Sequence, residues 1–256
     1  MGTRLAGKTA LVTGATSNIG RAIAVAYGAE GAHVVVSGRD QRRGAEVIAE
    51  IVAAGGRADF VAAALDGSAK ASGDLAAEAT RILGGRIDVL VNNAGIYPGS
   101  STVSTDETTF DTVYAVNVKA PYFLTAAIAP GMAERGSGVI INLGSWIARL
   151  GIPIGSLYSS TKGAVETLTR AWAAEYGPAG VRVNAISPGV ILTPDMSANE
   201  DHPAQVMMRG TPAGGSGSPD AIAHAAVYLA SEESRFVQGT VIDVDGGRVG
   251  VAVIAG

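Results

Sequence analysis

Residues 13–20 read Thr-Gly-Ala-Thr-Ser-Asn-Ile-Gly and join an apolar run, Thr9–Thr13, to an amphipathic stretch, Ile19–Glu30. Glycines at a turn from a strand into a helix let the backbone approach a pyrophosphate, and the start of the helix supplies amide donors and the positive end of its dipole. A position after the first strand of a βαβ unit is the context in which this turn binds a dinucleotide. On these residues alone, an ordinary tight turn remains the alternative.

The same alternation of short apolar runs and longer amphipathic stretches continues along the chain. The predicted strands are Thr9–Thr13, His33–Val36, Ala58–Ala63, Val89–Asn92, Val139–Leu143, Val181–Ile186 and Val241–Val244. The predicted helices are Ile19–Glu30, Gln41–Ala54, Gly73–Leu83, Asp106–Ala133, Leu157–Tyr176 and Pro219–Ala230. This order predicts an α/β fold, a doubly wound parallel sheet with helices on both faces, in one domain over residues 1–256. The weakly patterned segment 190–218 is interpreted as a substrate loop or lid.

Composition excludes several classes of protein. The 256 residues are 47% apolar and 16% charged with a net charge of −4, which argues against a disordered chain and a general nucleic-acid binder. The absence of cysteine excludes disulfides and thiolate metal sites, and three scattered histidines make a histidine metal site improbable. No apolar run is long enough to span a membrane, and no secretory signal core is visible. A cytoplasmic protein without a metal, nucleic-acid or membrane partner is expected.

The end of the second strand bears on the choice of coenzyme. An acidic group there bonds a ribose 2′-hydroxyl, whereas arginine suits a 2′-phosphate. Gly38 occupies the acidic position and Arg39 follows it, with Ser37 before them. The sequence therefore favours NADP(H) over NAD(H). Arg42 and Arg43 are interpreted at least equally well as a solvated helix face.

Candidate groups for acid–base chemistry follow the fifth strand. Tyr158 and Lys162 are four residues apart and share a helix face, and Ser145 lies at the end of the strand before them. A nearby ammonium favours the phenolate form of a tyrosine, so the pKa of Tyr158 is expected to be lowered. Such a phenol can donate and accept a proton near neutral pH. A single Tyr-x-x-x-Lys is far more often ordinary surface.

Taken together, these motifs resemble the short-chain dehydrogenase/reductase family in its roughly 250-residue form. The resemblance extends from Lys8 to Gly247. Its motifs are the glycine-rich turn, Asn92-Asn93-Ala94-Gly95, Asn117, Ser145, Tyr158 with Lys162, Pro188-Gly189 with Thr193, and Asp245-Gly246-Gly247.

The resemblance implies roles for individual residues. Tyr158 is the expected acid/base, Lys162 holds the nicotinamide ribose and lowers the pKa of that tyrosine, Ser145 polarises the carbonyl, and Asn117 holds a water in the proton relay. Asp66 is expected to contact adenine and Thr193 the carboxamide. The expected coenzyme contacts are Gly14, Thr16, Ser17, Asn18, Ile19, Gly20, Ser37, Arg39, Asp66, Asn92, Ala94, Gly95, Tyr158, Lys162, Pro188, Gly189, Ile191 and Thr193.

Two positions depart from the family pattern. Asn18 replaces the middle glycine of the first motif, and asparagine is the least costly replacement if that position needs a positive φ. Ser17 stands where many phosphate-preferring members carry lysine or arginine, so the coenzyme prediction depends mainly on Arg39.

The expected substrate is a fairly apolar small ketone or secondary alcohol. Its site is predicted to be lined by 96–100, 146–154 and 190–216, including Tyr97, Trp146, Ile147, Leu150, Ile152, Ile154, Met196, Met207 and Met208. Simple anchoring of loops explains these apolar residues about as well. Arg149 is interpreted as a solvated arginine rather than a ligand of a substrate carboxylate.

Other functions stay open. A 3-oxoacyl-acyl-carrier-protein reductase is one candidate, with Arg135 as a docking cation, although Ala174 stands where such reductases tend to carry arginine. A non-catalytic dinucleotide-binding protein and a lyase or epimerase relative are less favoured. A homotetramer is predicted, with a dimer as the fallback, because Val165, Leu168 and Trp172 form an apolar stripe on one helix.

Overall fold

The computed structural model of the chain describes residues 2–153, 155–193, 196 and 202–252. Within them, seven parallel strands form one sheet in the order β3-β2-β1-β4-β5-β6-β7. The strands are β1 (Thr9–Val12), β2 (His33–Gly38), β3 (Arg57–Ala62), β4 (Val89–Asn92), β5 (Gly138–Leu143), β6 (Val181–Pro188) and β7 (Val241–Val244). The strand order changes direction at β1 and β4, where ligands of doubly wound sheets bind. The predicted fold class is confirmed.

Helices cover both faces of this sheet. They are α1 (Asn18–Ala29), α2 (Gln41–Ala53), α3 (Ala69–Ile82), α4 (Glu107–Tyr114), α5 (Ala120–Glu134), α6 (Ser156–Tyr176), α7 (Pro203–Val206) and α8 (Pro219–Ala230). Neighbouring strand residues divide between two cores: Val34 and Val36 pack with α1, α2 and α8, whereas Val35 packs with α3, α5 and α6. Burial of both faces explains why the strands read as continuous apolar runs. Among the described residues, no helix has the length and hydrophobicity to cross a membrane.

The predicted helix Asp106–Ala133 differs from the structure in one important way. Asp106 caps α4 by accepting a hydrogen bond from the amide of Thr109, and the chain then passes through a π-helical segment, Ala115–Lys119, before α5 begins. A π segment is a one-residue insertion that interrupts the helical period. It carries Asn117, one of the predicted catalytic residues. The helical pattern in the sequence gave no sign of it.

The apolar stripe on α6 faces this chain's own sheet. Val165 is 3% exposed and Trp172 is 5% exposed, and Leu168 packs against the same core as Trp172. The assignment of this stripe to a subunit interface is therefore wrong. Two aromatic side chains, Phe110 on α4 and Tyr122 on α5, are instead 47% exposed on the outer surface.

Candidate active site

The turn between β1 and α1 is shaped by two close approaches of backbone. A Cβ added to Gly14, whose φ is +61°, would lie 2.9 Å from the Cα of Ala94, and a Cβ on Gly20 would lie 2.4 Å from the carbonyl oxygen of Gly14. Neither position has room for a side chain. Asn18 adopts a φ of 44°, so this substitution for glycine occurs where a positive φ is required, as the sequence indicated.

Asn93, which belongs to the Asn92–Gly95 motif but was not among the expected coenzyme contacts, holds this turn in place. Its Nδ2 donates to the carbonyl oxygens of Thr13 at 2.8 Å and Gly14 at 3.1 Å. In return, the Oγ1 of Thr13 accepts hydrogen bonds from the amides of Asn93 and Ala94, each at 3.0 Å. The end of β4 is thereby fixed against the end of β1. The paired asparagines at the end of a strand were the available signal.

A cleft of about 350 Å³ opens along the carboxyl ends of β1, β2 and β4. Its lining includes most of the expected coenzyme contacts of this half: Gly14, Thr16, Ser17, Asn18, Ile19, Gly20, Ser37, Arg39, Ala94 and Gly95. The helix α1 begins at this cleft without an acidic residue in its first turn. Backbone amides and a positive helix end are thus directed at the cleft, an arrangement that suits a phosphate group.

The charged groups beside Arg39 are more numerous than the sequence suggested. Asp40 and Arg43 also line the cleft, and the Nε of Arg43 donates to the Asp40 carboxylate at 2.7 Å. Hydrogen bonds from the backbone amide and from the side chain of Arg43 hold the pKa of Asp40 below its usual range. Arg42 pairs with Glu46 on the exposed helix face, as the alternative interpretation expected. A Cβ on Gly38 would lie 2.6 Å from the Cγ2 of Thr16, so Thr16 leaves little room for an acidic residue at that position.

Two expected coenzyme contacts, Asn92 and Asp66, do not themselves line this cleft. Asn92 is 5% exposed, and its Nδ2 donates to the Oδ1 of Asn142 at 2.9 Å and to Thr125 at 3.4 Å, inside the sheet. It therefore acts as an internal link between β4 and β5. The carboxylate of Asp66 accepts a hydrogen bond from the amide of Ser68 at 2.8 Å, and Leu65, not Asp66, lines the cleft.

The remaining expected coenzyme contacts follow β6. Pro188 ends the strand, and the amide of Gly189 donates to the carbonyl of Val244 at 2.9 Å. A Cβ on Gly189 would lie 2.7 Å from the Cα of Asp245. Ile191 pairs with Gly217 across an isolated bridge, and the Oγ1 of Thr193 accepts a hydrogen bond from the amide of Met196 at 3.4 Å. These residues border the same edge of the sheet but do not line the 350 Å³ cleft.

Asn117 is oriented by the π segment and is 1% exposed. Its Oδ1 accepts from the amide of Ile96 at 2.8 Å, while its Nδ2 donates to the carbonyl of Ile96 at 3.0 Å and to Thr161 at 3.2 Å. The side chain thus fixes the loop after β4 and also contacts α6. A Cβ on Gly95 would lie 3.4 Å from Asn117 Oδ1 and 3.7 Å from Lys162 Nζ, so these groups meet at one point.

Lys162 is 5% exposed and donates from Nζ to the carbonyl of Leu143 at 2.7 Å. Its Nζ lies 5.5 Å from the centre of the Tyr158 ring. Burial lowers the pKa of Lys162 to about 8. A lysine with this pKa exchanges its proton close to neutral pH, which an exposed lysine does not do.

The tyrosine itself departs from expectation. Burial raises the pKa of Tyr158 to about 12, and a hydrogen bond with Ser145 acts in the opposite direction. The prediction that this pKa is lowered is therefore wrong for the protein as described, because the cost of burying a phenolate outweighs the hydrogen bond. The ring of Tyr97 packs against Tyr158 with 4.9 Å between ring centres. A neutral phenol beside Ser145 is suited to giving a proton.

Apolar side chains collect on the other side of Tyr158. The buried members are Trp146, Ile147, Val190, Met196 and Met208; Leu150, Ile152, Tyr158, Leu192, Ala204, Met207 and Val249 pack against them. This set contains the residues that the sequence assigned to the substrate, apart from Tyr97, which packs against Tyr158, and Ile154, which lies outside the described residues. Of the predicted loop 190–218, residues 194–195 and 197–201 also lie outside them. We call this set the apolar cluster.

Arg149 connects its own loop to β6, β7 and α6. It donates to the Asp243 carboxylate on β7 and to the Oγ of Ser187 on β6, and its Nε lies 3.6 Å from the carboxylate of Glu166 on α6. Burial raises the pKa of Glu166, while Arg149 acts against that shift. Arg149 thus forms ion pairs while it stays exposed to solvent, as the interpretation as a solvated arginine expected. These contacts fix the loop that carries Ser145.

Arg135 lies far from these groups. Its Nη2 donates to the carbonyl of Ile87 at 2.9 Å, just before β4 begins. In a parallel sheet the starts and ends of the strands lie at opposite edges, whereas Ser145 follows the end of β5. Arg135 is therefore not placed beside the mouth of the site, and the suggested role in docking a carrier protein is wrong.

Comparisons with known proteins agree over nearly the whole chain. A family model described as enoyl-(acyl carrier protein) reductase matches residues 14–248. A solved structure of a short chain dehydrogenase/reductase family protein is 44% identical with a TM-score of 0.88, and the match covers 97% of this chain and 100% of that one.

Two further relatives have more specific descriptions. The galactitol 2-dehydrogenase (L-tagatose-forming) of Cereibacter sphaeroides is 38% identical over 95% of this chain and 96% of its own. The crystal structure of a 3-oxoacyl (acyl-carrier-protein) reductase from Agrobacterium tumefaciens C58, with NADP bound, is 30% identical with a TM-score of 0.88, over 95% of each chain.

Proposed function

The chain belongs to the short-chain dehydrogenase/reductase family, and from that premise we propose that it transfers a hydride between a nicotinamide coenzyme and a small ketone or secondary alcohol, with Tyr158 as acid/base. The observation that supports this proposal most directly is the meeting of four side chains beside the coenzyme cleft. Lys162 Nζ lies 5.5 Å from the centre of the Tyr158 ring, and Ser145 forms a hydrogen bond with the phenol. Asn117 Oδ1 and Lys162 Nζ both lie within 4 Å of the position that a Cβ on Gly95 would take.

The cleft residues fit a dinucleotide. Gly14 and Gly20 let the turn pack tightly against the end of β4 and against itself, since a Cβ on either would meet backbone within 3 Å. The start of α1 supplies amide donors. When bound, the coenzyme supplies or accepts the hydride, and the protein contributes position and charge.

The proton step is assigned to the Oη of Tyr158. In the direction of reduction, this atom gives its proton to the substrate oxygen as the carbonyl carbon receives the hydride; in oxidation it takes the proton back. Ser145 donates a hydrogen bond to the same oxygen, which favours charge developing on it. Lys162 holds a positive charge near the phenol below a pH of about 8, and this charge stabilises the phenolate left after transfer.

NADP(H) is the proposed coenzyme. Arg39 lines the cleft and forms no ion pair with the part of the chain that the structure describes, so its guanidinium is free to meet a phosphate. Arg43 reinforces this charge, although the Asp40 carboxylate opposes it. The NADP bound to the relative from Agrobacterium tumefaciens is consistent with this choice.

The finer predictions from the sequence join this proposal. The substrate is taken to lie against the apolar cluster and Tyr97, and segment 190–218 is proposed to close over it as part of a single domain. We also propose a homotetramer, now supported by the exposed aromatic rings of Phe110 and Tyr122 rather than by α6. Light scattering of the purified protein tests it, and a monomer would contradict it. The cytoplasmic location stays a prediction.

A turnover screen tests the function. Ketones and secondary alcohols are offered with each coenzyme while the absorbance of the reduced nicotinamide is followed. Turnover by the wild type that is lost in Tyr158→Phe is the expected result. One arm contains a 3-oxoacyl group on acyl-carrier protein and on a small thioester; a strong preference for the carrier-bound form would favour the reductase alternative. Coenzyme binding without any turnover would favour the non-catalytic alternative.

A further inference from the structure

A cation stands beside the apolar cluster and has no acidic partner among the described residues. The guanidinium of Arg248 lies 5.7 Å from the centre of the Trp146 ring. Trp146 directly follows Ser145 and belongs to the same cluster as Tyr158. The Nε atom of Arg248 is buried and has no hydrogen-bond partner in the described chain.

The acidic residues nearest along the chain are occupied elsewhere. Asp245 accepts hydrogen bonds from the amide of Gly247 at 2.9 Å and from that of Val249 at 2.8 Å, one on each carboxylate oxygen. Asp243 pairs with Arg149. Across residues 2–153, 155–193, 196 and 202–252, no carboxylate forms an ion pair with Arg248. Its charge is therefore uncompensated by these residues.

The segment that carries Arg248 is fixed rather than free to swing. A Cβ on Gly246 would lie 2.8 Å from the side chain of Ala213, and one on Gly247 would lie 2.8 Å from the side chain of Pro212. The following residue, Val249, packs against the apolar cluster. The backbone on both sides thus holds Arg248 next to Trp146.

From these contacts we infer that Arg248 binds a carboxylate carried by the substrate, at the end remote from the reacting carbon. A partly buried guanidinium without a partner is unfavourable, and its planar fork matches a carboxylate with two parallel hydrogen bonds. The apolar cluster between Arg248 and Tyr158 suits the hydrocarbon body of such a molecule. The substrate class is then an oxo acid or the corresponding hydroxy acid. This inference rests on the proposed function.

The test compares acids with their uncharged esters. The enzyme with NADPH is given 4-oxopentanoate, 5-oxohexanoate and 6-oxoheptanoate, each beside its methyl ester. We expect the wild type to prefer the acid of at least one pair by roughly tenfold or more in kcat/KM, the worth of a hydrogen bond to a charged group. Arg248→Gln should remove this preference by raising KM for the acid, with kcat/KM for the ester unchanged. Arg248→Lys should retain part of the preference for the acid. Arg57→Ala, which removes an exposed cation at the start of β3, is the matched control.

A binding measurement separates failure of this inference from failure of the proposed function. Calorimetry with hexanoate, which has no carbonyl to reduce, is run on the wild type and on Arg248→Gln, each loaded with NADPH. Binding by the wild type that the variant loses supports the inference even if no ketone is turned over. Equal binding by both proteins, no binding by either, or an acid-to-ester ratio that Arg248→Gln leaves unchanged would overturn it.

Discussion

The two halves of the carboxyl edge of the sheet are built from different parts of the chain. The half over β1, β2 and β4 presents backbone: its glycines leave no space for side chains, and Asn93 ties its turn with hydrogen bonds to carbonyls. The half over β5, β6 and β7 presents side chains, the apolar cluster and the Arg149 ion pairs, drawn from distant segments. Tyr158 lies between them.

This difference reflects what each half is proposed to bind. A coenzyme shared by many enzymes can be held by backbone amides, in a turn whose close packing restricts a few positions to glycine. A particular substrate must be recognised by the shape and charge of side chains, which can change without disturbing the sheet. The following experiments change a residue in one half, or between the two halves, and measure the effect on turnover, stability or coenzyme binding.

The largest effect is expected from Tyr158→Phe, which removes the proton donor and little else. Turnover should fall by roughly a hundred- to ten-thousandfold, the usual contribution of acid–base catalysis. Coenzyme affinity, measured by fluorescence of the bound reduced nicotinamide, should stay at the wild-type level because the cleft is unaltered. Turnover close to that of the wild type would remove Tyr158 from the proposed role.

Lys162→Met tests the buried cation between the halves through the pH dependence of stability. The folded-state pKa of Lys162 is about 8, below the ordinary value of 10.5. Between these pH values the unfolded chain holds the proton and the folded chain has lost it. The free energy of unfolding therefore increases as the pH rises. Urea denaturation from pH 7 to 10 should show the wild type gaining up to about 3 kcal/mol relative to Lys162→Met.

That comparison ends near pH 10 for a physical reason. Above the ordinary lysine pKa of 10.5, the folded and unfolded chains have both lost this proton, so the difference between the two proteins stops growing. The tyrosines titrate in both proteins and largely cancel from that difference. A difference between wild type and Lys162→Met that stays constant from pH 7 to 10 would show that Lys162 is not perturbed.

Gly20→Ala tests the half built from backbone. The new Cβ would lie 2.4 Å from the carbonyl oxygen of Gly14, so the turn must shift. The free energy of unfolding should fall by about 1–3 kcal/mol, as at other overpacked sites, and coenzyme binding should weaken. Gly73→Ala in α3 is the control, because nothing lies within 4 Å of its Cβ position. That variant should be more stable by roughly 0.5–1 kcal/mol and bind coenzyme normally.

The smallest effect is expected from Arg39→Ala, read as the ratio of kcat/KM for NADPH to that for NADH. The ratio should fall by roughly tenfold, the loss of one hydrogen bond to a charged group. Arg42→Ala is the matched control, since Arg42 is paired with Glu46 on the solvent-exposed face of α2. An unchanged ratio in Arg39→Ala, or an equal fall in both variants, would mean that Arg39 does not read the 2′-phosphate.

The amino-acid sequence was enough to predict the sheet, the first turn and the identity of the groups that meet at Tyr158. Alternation of apolar runs with amphipathic stretches fixes strand and helix, and a glycine or Asn18 at a positive φ is a local requirement that neighbouring residues reveal. Such signals depend on residues close along the chain, and so they can be read without a structure.

Roles that depend on burial and on distant partners could not be predicted in this way. Asn92 links β4 to β5 because Asn142, fifty residues later, lies beside it on the neighbouring strand. Arg149 pairs with Asp243 on β7. The pKa of Tyr158 rose because burial outweighed the hydrogen bond that lowers it. Desolvation and ion pairing depend on all the residues packed around a group, and those residues come from segments that are far apart in sequence.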